Sequence, residues 1–211
     1  MEHDFWHDRW QSGRIGFHES EPNPLLVKHF PALSLAENSR VFVPLCGKTL
    51  DIGWLLSKGQ RVAGAELSEL AIQHLFEELG VEPAVSDLGN LKRYSADRID
   101  IFVGDIFDLT PALLGPVDAV FDRAALVALP DDMRSGYAPH VAEITGNAPQ
   151  LLVTFEYDPA LIDGPPFSIP ADEVNRHYAA RYAVSTLSIG DVSGGFKGVH
   201  AKERVWLLTP L

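Results

Sequence analysis

The sequence has a single cysteine, Cys46, so it cannot form an internal disulfide. A chain without disulfides suits a reducing compartment, and we expect a cytoplasmic protein. It also has no apolar run that approaches the ~18 residues needed to cross a bilayer. The first 14 residues alternate charged and aromatic side chains and contain no apolar signal core. We therefore expect neither export nor a membrane partner.

Basic residues are scarce. Lys and Arg number 17 against 29 Asp and Glu, which gives a net charge of −12. Such a chain repels nucleic-acid phosphates at long range, and we expect no nucleic-acid partner. The hydrophobic fraction of 46% and charged fraction of 22% are typical of globular proteins. A chain of 211 residues fits one domain, 1–211, which we expect to be a monomer.

Between residue 40 and about 155, short apolar runs alternate with segments of helical period. This order predicts βαβ units around a parallel sheet. The predicted strands are 40–45, 61–67, 99–104, 117–121 and 151–155, and the predicted helices are 49–59, 68–80, 110–115 and 130–144. Pro139 inside the last of these helices predicts a kink or break. Residues 81–98 are predicted to be irregular, with a short hairpin or loop.

After residue 155 the pattern changes. A helix is predicted over 170–181, followed by strands near 182–192 and 202–209. The segment that joins the two strands, 193–198, is rich in glycine and predicted to be mobile. Two consecutive strands joined by a loop favour an antiparallel end to the sheet.

The loop after the first strand, residues 44–49, reads Pro-Leu-Cys-Gly-Lys-Thr. A phosphate loop of the Gly-Lys-Thr type needs a glycine at position 42, which is Phe, and this disfavours ATP. A dinucleotide loop needs three glycines, but only Gly47 is present, and this disfavours NAD. A nucleoside cofactor without phosphate needs only a close turn beside its tail. S-adenosylmethionine is such a cofactor, and Gly47 is its predicted contact.

Two charged residues lie at the carboxyl ends of the second and the fourth predicted strands. Glu66 lies 19 residues after Gly47, close to the ~20-residue interval at which an acid reaches ribose hydroxyls. The alternative is that Glu66 only stabilises the N-terminus of the next helix. Arg123 can pair with the amino-acid carboxylate of S-adenosylmethionine. The alternative is an internal ion pair with Asp122 or another acid.

Aromatic residues cluster ahead of the first strand. Trp6 and Trp10 stand four residues apart on a predicted helix, and Phe17 follows. These rings can cover a sulfonium by cation–π attraction. The alternative is a hydrophobic staple that holds the N-terminus on the core. We predict that residues 1–22 form a lid over a core of residues 40–211.

Five stretches of the chain carry a family resemblance: FWHDRWQSGRIGFHE, RVFVPLCGKTLDIGWLLSKGQRVAGAELSELAI, GDIFDL, VFDRAALVAL and YDP followed by GPPFSIP. In this order and over nearly the whole chain, they resemble the thiopurine S-methyltransferase family. The compact N-terminus resembles its bacterial branch. The resemblance implies an α/β fold of the class I S-adenosylmethionine-dependent methyltransferases, which is Rossmann-like. That fold has a mostly parallel seven-stranded sheet, helices on both faces and an antiparallel last strand.

The resemblance also implies methyl transfer from S-adenosylmethionine to a thiol or thione sulfur, without a metal. The substrates it implies are thiopurines or other small aromatic or heterocyclic thiols, and we add selenium and tellurium compounds. The implied cofactor contacts are Trp10, Leu45, Glu66, Asp105, Ile106 and Arg123, and the implied substrate-facing aromatic is Phe17. We add Trp6 and His18 as candidate substrate residues, and Lys197 as a weaker candidate in place of a longer basic segment of animal members.

Methyl transfer from a sulfonium to a thiolate cancels opposite charges, so a dry, aligned site assists it and no strong general base is required. No catalytic residue is therefore assigned. His7, Asp8 and His18 are candidate proton acceptors, with exposed or helix-stabilising roles as the alternative. An NAD-linked oxidoreductase and a non-catalytic nucleoside-binding module are the rival functions.

Overall fold

The computed structural model describes residues 3–14 and 19–211. In this part of the chain nine strands form one sheet, in the order β3-β4-β5-β2-β1-β6-β7-β9-β8. The strands are β1 (Arg40–Val43), β2 (Arg61–Glu66), β3 (Ala84–Asp87), β4 (Lys92–Ala96), β5 (Ile99–Val103), β6 (Ala119–Arg123), β7 (Gln150–Glu156), β8 (Tyr182–Asp191) and β9 (Lys202–Pro210).

The sheet confirms the predicted fold class but has two strands more than the seven expected. The five central strands, β5-β2-β1-β6-β7, pair in parallel, while β3 and β4 form an antiparallel hairpin beside β5. Most side chains of this hairpin are exposed or half-buried, so its sequence shows no apolar run. The predicted antiparallel end is confirmed, since β9 lies between β7 and β8 and is antiparallel to both.

Seven α-helices are described in residues 3–14 and 19–211. They are α1 (His3–Gln11), α2 (Pro24–His29), α3 (Leu50–Ser57), α4 (Glu69–Leu79), α5 (Pro111–Leu114), α6 (Asp131–Ile144) and α7 (Ala171–Tyr178). Thr49, Ser68 and Thr110 accept backbone N–H bonds at the starts of α3, α4 and α5, as side chains of these types do at helix caps. None of these helices is long and apolar enough to span a bilayer.

The break predicted at Pro139 does not occur, because α6 continues through it from Asp131 to Ile144. Proline removes one backbone hydrogen bond from a helix. Three neighbours of Pro139, Tyr137, Ala138 and Val141, are almost completely buried in the core. We attribute the continuity of α6 to this packing, which outweighs the local cost of the proline.

Two hydrophobic clusters cover the two faces of the sheet. Phe42 packs in one cluster with residues of α6 and α7, while its neighbours Val41 and Val43 pack in the other with residues of α2, α3 and α4. Alternate residues of a strand face opposite sides, so helices lie on both faces as predicted. The carboxyl ends of β1, β2, β5 and β6 are left at one edge, where open α/β sheets bind their ligands.

Candidate active site

A cavity of about 590 Å³ lies at this edge of the sheet, between the carboxyl ends of the central strands and α1. It is lined by eight of the residues singled out from the sequence as cofactor or substrate contacts: Trp6, Trp10, Leu45, Gly47, Glu66, Asp105, Ile106 and Arg123. Lys197 lines it too. Phe17 and His18 lie outside the described residues. His7 lines a separate cavity of about 400 Å³, and the exposed Asp8 lines neither.

The single glycine of the loop after β1 is explained by its contact with α1. Gly47 has φ +51°, a conformation that favours glycine. A Cβ atom at this position would lie 2.9 Å from Cζ2 of Trp10, closer than van der Waals contact allows. Trp10 is itself only 7% exposed. The loop is therefore shaped to receive the indole ring of the N-terminal helix.

Glu66 is buried at the end of β2, where it holds two loops together. Its Oε2 accepts the Gly47 N–H at 2.7 Å, and its Oε1 accepts the Ser68 N–H at 2.8 Å. Burial raises the pKa of the Glu66 carboxyl, and the backbone N–H bonds oppose this effect. The bond to Ser68 is the helix-terminus role that the sequence left open. A carboxylate has about four lone-pair positions, and one that the backbone N–H groups do not use can accept from a ribose hydroxyl.

Arg123, at the end of β6, forms an ion pair with Glu19. The sequence allowed an internal ion pair with Asp122 or another acid, and the partner in the structure is this acid from the N-terminal region. Asp122 is fully buried instead, where it accepts the Tyr137 O–H at 2.7 Å and the Leu126 N–H at 3.1 Å. Burial raises the pKa of Asp122 to about 6.

The Gly-Lys-Thr triplet does not form a phosphate cradle. Lys48 Nζ forms an ion pair with Glu78 of α4, and Thr49 Oγ1 accepts the Asp51 N–H at 3.3 Å as the cap of α3. Asp51 in turn accepts the Asn23 N–H at 2.7 Å, which fixes the chain just after the predicted lid. Burial raises the pKa of the neighbouring Cys46 thiol, so it stays protonated at neutral pH.

The far end of the cavity has apolar and aromatic walls that the sequence did not reveal as a site. Phe155 of β7 and Phe196 of the 193–198 loop lie with ring centroids 6.1 Å apart. Pro165 and Pro166 form another wall, and their segment is held by the Phe167 N–H, which donates to the Val127 carbonyl at 2.6 Å. The motif GPPF was the one available signal for this end.

Charged residues also line this cavity, and Glu19 and Glu203 are among those that were not expected from the sequence. Lys197 Nζ lies 5.1 Å from the centroid of the Phe196 ring. Glu19 ends the first of the family stretches but had no predicted role, and Glu203 lies in none of them. Only the folded chain shows that they share a cavity.

The cofactor end of the cavity fits an adenosine that carries an amino-acid tail. Glu66 offers carboxylate acceptors for ribose hydroxyls, while Leu67 and Ile106 provide apolar surface for a base. Arg123 provides a guanidinium for a carboxylate. The turn at Gly47 brings the backbone close to the space between them.

Comparisons with known proteins show the family to which the chain belongs. The model of the family described as thiopurine S-methyltransferase matches residues 1–209. The chain is 60% identical over 210 residues to a thiopurine S-methyltransferase of Xanthobacter autotrophicus, covering 99% of both chains. It is 55% identical over 210 residues to one of Teredinibacter turnerae, covering 99% of this chain and 98% of the relative.

Solved structures share the fold at low sequence identity. The 1,6-didemethyltoxoflavin-N1-methyltransferase of Burkholderia thailandensis, with S-adenosylhomocysteine bound, gives a TM-score of 0.65 at 17% identity, covering 98% of this chain and 87% of that one. The magnesium protoporphyrin IX methyltransferase of Synechocystis, also with S-adenosylhomocysteine, gives 0.63 at 16% identity, covering 98% and 99%.

The family match and the two relatives span nearly the whole chain, and they decide against an NAD-linked oxidoreductase and against a non-catalytic module. The methyl donor of this enzyme is S-adenosylmethionine. The chain belongs to the thiopurine S-methyltransferase family and is an S-adenosylmethionine-dependent methyltransferase.

Proposed function

We propose that this enzyme methylates the sulfur of small aromatic or heterocyclic thiols, thiopurines among them. The observation that carries the proposal is the continuity of one cavity from Glu66 to Phe196. Its cofactor end has polar groups for a nucleoside, while its far end has aromatic and proline walls that suit a flat ring. The names of the relatives from Xanthobacter and Teredinibacter support the same substrate class.

At the cofactor end, we assign Glu66 to the ribose hydroxyls and Arg123 to the amino-acid carboxylate. Ile106 and Leu67 pack against the base. The indole of Trp10, which sits on Gly47, excludes water from the space above the turn. Leu45 and Asp105 complete the lining. When bound, S-adenosylmethionine supplies an electrophilic methyl group on a sulfonium.

At the far end, Phe155 and Phe196 hold the ring of the substrate, and Trp6 closes the cavity from α1. These residues keep water from the reacting sulfur, which favours a reaction in which opposite charges cancel. They also fix the sulfur in line with the methyl group, and such alignment lowers the entropic part of the barrier. A thiolate needs no general base for this step.

The N-terminal segment, residues 1–22, acts in this proposal as a lid. The contact of Trp10 with the Gly47 turn and the Glu19–Arg123 ion pair both tie this segment to the cofactor end. Selenols and selenium or tellurium anions are soft nucleophiles of similar reactivity, and they belong to the proposed substrate class. The net charge of −12 and the single buried cysteine support a cytoplasmic monomer without nucleic-acid or membrane partners.

The test is a transfer assay with S-adenosylmethionine that carries a labelled methyl group. The panel contains 6-mercaptopurine, thiophenol, benzeneselenol, selenite and tellurite, with phenol as the oxygen control. We expect label on the sulfur of the aromatic thiols and none on phenol. Label on phenol alone, or on no member of the panel while calorimetry shows S-adenosylmethionine bound, would overturn the proposed substrate class.

A further inference from the structure

One wall of the far end carries a carboxyl group, that of Glu203. Glu203 lies on β9, where it pairs in register with Phe155 of β7. Side chains at paired positions lie on the same face of a sheet, so the Glu203 carboxyl and the Phe155 ring share one side. Both line the cavity. Within residues 3–14 and 19–211, no hydrogen bond or ion pair joins the Glu203 carboxyl to another side chain or to the backbone.

The other acids that line the cavity are all engaged. Each accepts a hydrogen bond or forms an ion pair: Glu19 with Arg123, Asp51 with the Asn23 N–H, Glu66 with the Gly47 and Ser68 N–H groups, and Asp105 with the Phe107 N–H. Glu203 is half-buried in the cavity wall, and carboxylate lone pairs that no protein donor uses can accept a hydrogen bond from a ligand. Glu203 is therefore the carboxyl of this set that is available to a ligand.

The surroundings of Glu203 favour a proton acceptor. Burial raises the pKa of its carboxyl, the Arg123 charge lowers it and the Glu19 charge raises it. On its own and the adjacent strand, Arg204 and Glu156 form a separate ion pair at 2.6 Å. Lys197 also lines the cavity. A carboxyl with a raised pKa is a stronger base than an exposed one.

We infer that Glu203 accepts the ring N–H of a heterocyclic thione and takes its proton during methylation. The inference rests on the proposed function. Many heterocyclic thiols exist as thiones, in which the proton sits on the ring nitrogen beside C=S. As the S–CH₃ bond forms and the bond from the donor sulfonium to the methyl breaks, the N–H electron pair becomes the ring C=N bond. The proton passes to the Glu203 carboxylate, which later releases it to water.

The first test compares two rings of the same size. Pyridine-2-thione has the N–H beside its sulfur, while thiophenol has none. Glu203→Gln keeps the size of the side chain but cannot take a proton, so we expect kcat for the thione to fall about a hundredfold. The same variant should methylate thiophenol at the wild-type rate within about twofold, which also shows that it is folded. Glu143→Gln, an exposed position outside the cavity lining, is the matched control and should leave both rates unchanged.

The second test measures binding rather than turnover. Pyridine-2-thione and thiophenol are titrated calorimetrically into the enzyme with S-adenosylhomocysteine present. Loss of a hydrogen bond to a charged acceptor weakens binding about tenfold or more, and we expect this loss for the thione with Glu203→Ala. Thiophenol should bind the variant and the wild type alike.

An equal loss for both rings, or no loss for either, would overturn the role of Glu203. A selective loss of thione turnover in Glu19→Gln instead would assign the proton to Glu19 and also overturn it. If the wild type methylates neither ring, the proposed function fails. The titration then tests the role of Glu203 independently of turnover. Unchanged thione binding in Glu203→Ala would show that Glu203 does not contact the ligand.

Discussion

The Arg123 guanidinium forms an ion pair with the Glu19 carboxylate, from a residue 104 positions earlier in the chain. This contact joins the carboxyl end of β6 to the segment that we propose as a lid. The cofactor that this family uses also has a carboxylate. We therefore expect the amino-acid carboxylate of S-adenosylmethionine to displace Glu19 from Arg123 when it binds.

Replacement of the two partners should change cofactor affinity in opposite directions. Arg123→Ala removes the proposed carboxylate partner, and we expect the Kd for S-adenosylmethionine to rise about tenfold or more. Glu19→Gln removes the competitor and should lower the Kd by up to about fivefold, since a half-exposed ion pair contributes about 1 kcal/mol or less. Isothermal titration calorimetry measures both. An unchanged Kd in Arg123→Ala would show that Arg123 serves only the internal ion pair.

Gly47→Ala should weaken cofactor binding through Trp10. The new methyl group would lie 2.9 Å from the Trp10 ring, so the indole must move away from the turn. Gly59→Ala is the matched control, because Gly59 also has positive φ but has no neighbour within 4 Å of the new atom. Both variants should lose about 1–2 kcal/mol of stability from the positive φ.

Only Gly47→Ala should raise the Kd for S-adenosylmethionine, by about tenfold, since displacement of a packed ring costs about 1–3 kcal/mol. Urea unfolding gives the stability of each variant and calorimetry gives the Kd. Equal Kd values in the two variants would mean that the contact between Trp10 and Gly47 does not shape the cofactor site.

Deletion of residues 1–22 tests the lid. The central sheet and the bond between the Asn23 N–H and Asp51 remain in the shortened chain. We expect the far-UV circular dichroism spectrum and cooperative unfolding to persist while turnover is lost, because water then reaches the reacting sulfur. Turnover at the wild-type rate would refute the lid. It would favour the alternative in which Trp6 and Trp10 only anchor the N-terminus.

Asp122 should make the protein less stable as pH rises through its folded pKa. Burial raises this pKa from 3.8 to about 6. Between these values the folded state binds a proton that the unfolded state does not, so the free energy of unfolding falls as pH rises. The total decrease in the free energy of unfolding is about 3 kcal/mol, and it is complete above pH 7 and absent below pH 3.

The variant Asp122→Asn isolates this effect, because the amide does not titrate. Urea unfolding of both proteins between pH 5 and pH 7.5 should show the wild type gaining stability relative to the variant as pH falls. Other buried acids contribute equally to both and cancel in the difference. A difference that does not change with pH would mean that Asp122 is already ionised throughout this range.

The central strands and the caps of α3, α4 and α5 were predictable because their signals are local. An apolar run or a Thr before a helix needs no knowledge of the rest of the chain. The hairpin of β3 and β4 lacks such a signal, since its side chains are largely exposed. The continuity of α6 through Pro139 depends on the burial of its neighbours, which only the folded chain provides.

The candidate site was predicted in outline for a similar reason. Residues just after the strands of a parallel sheet must meet at one edge, so Gly47, Glu66 and Arg123 were predictable as neighbours. The contact of Glu19 with Arg123 was not predictable, although Glu19 ends the first family stretch, because it joins segments 104 residues apart. Glu203 was not predictable, because nothing near it in sequence marks it as part of a cavity. A glycine is needed at position 47 because the Trp10 ring occupies the space where a side chain would lie. This contact joins distant segments of the chain, so the sequence alone does not show it.

The most direct test of the account is a crystal structure of the enzyme with S-adenosylhomocysteine and pyridine-2-thione. We predict the ribose on Glu66, the amino-acid carboxylate on Arg123 with Glu19 displaced, and the thione against the rings of Phe155 and Phe196 with its N–H on Glu203. A cofactor carboxylate placed away from Arg123, or a thione bound outside the cavity, would contradict the account.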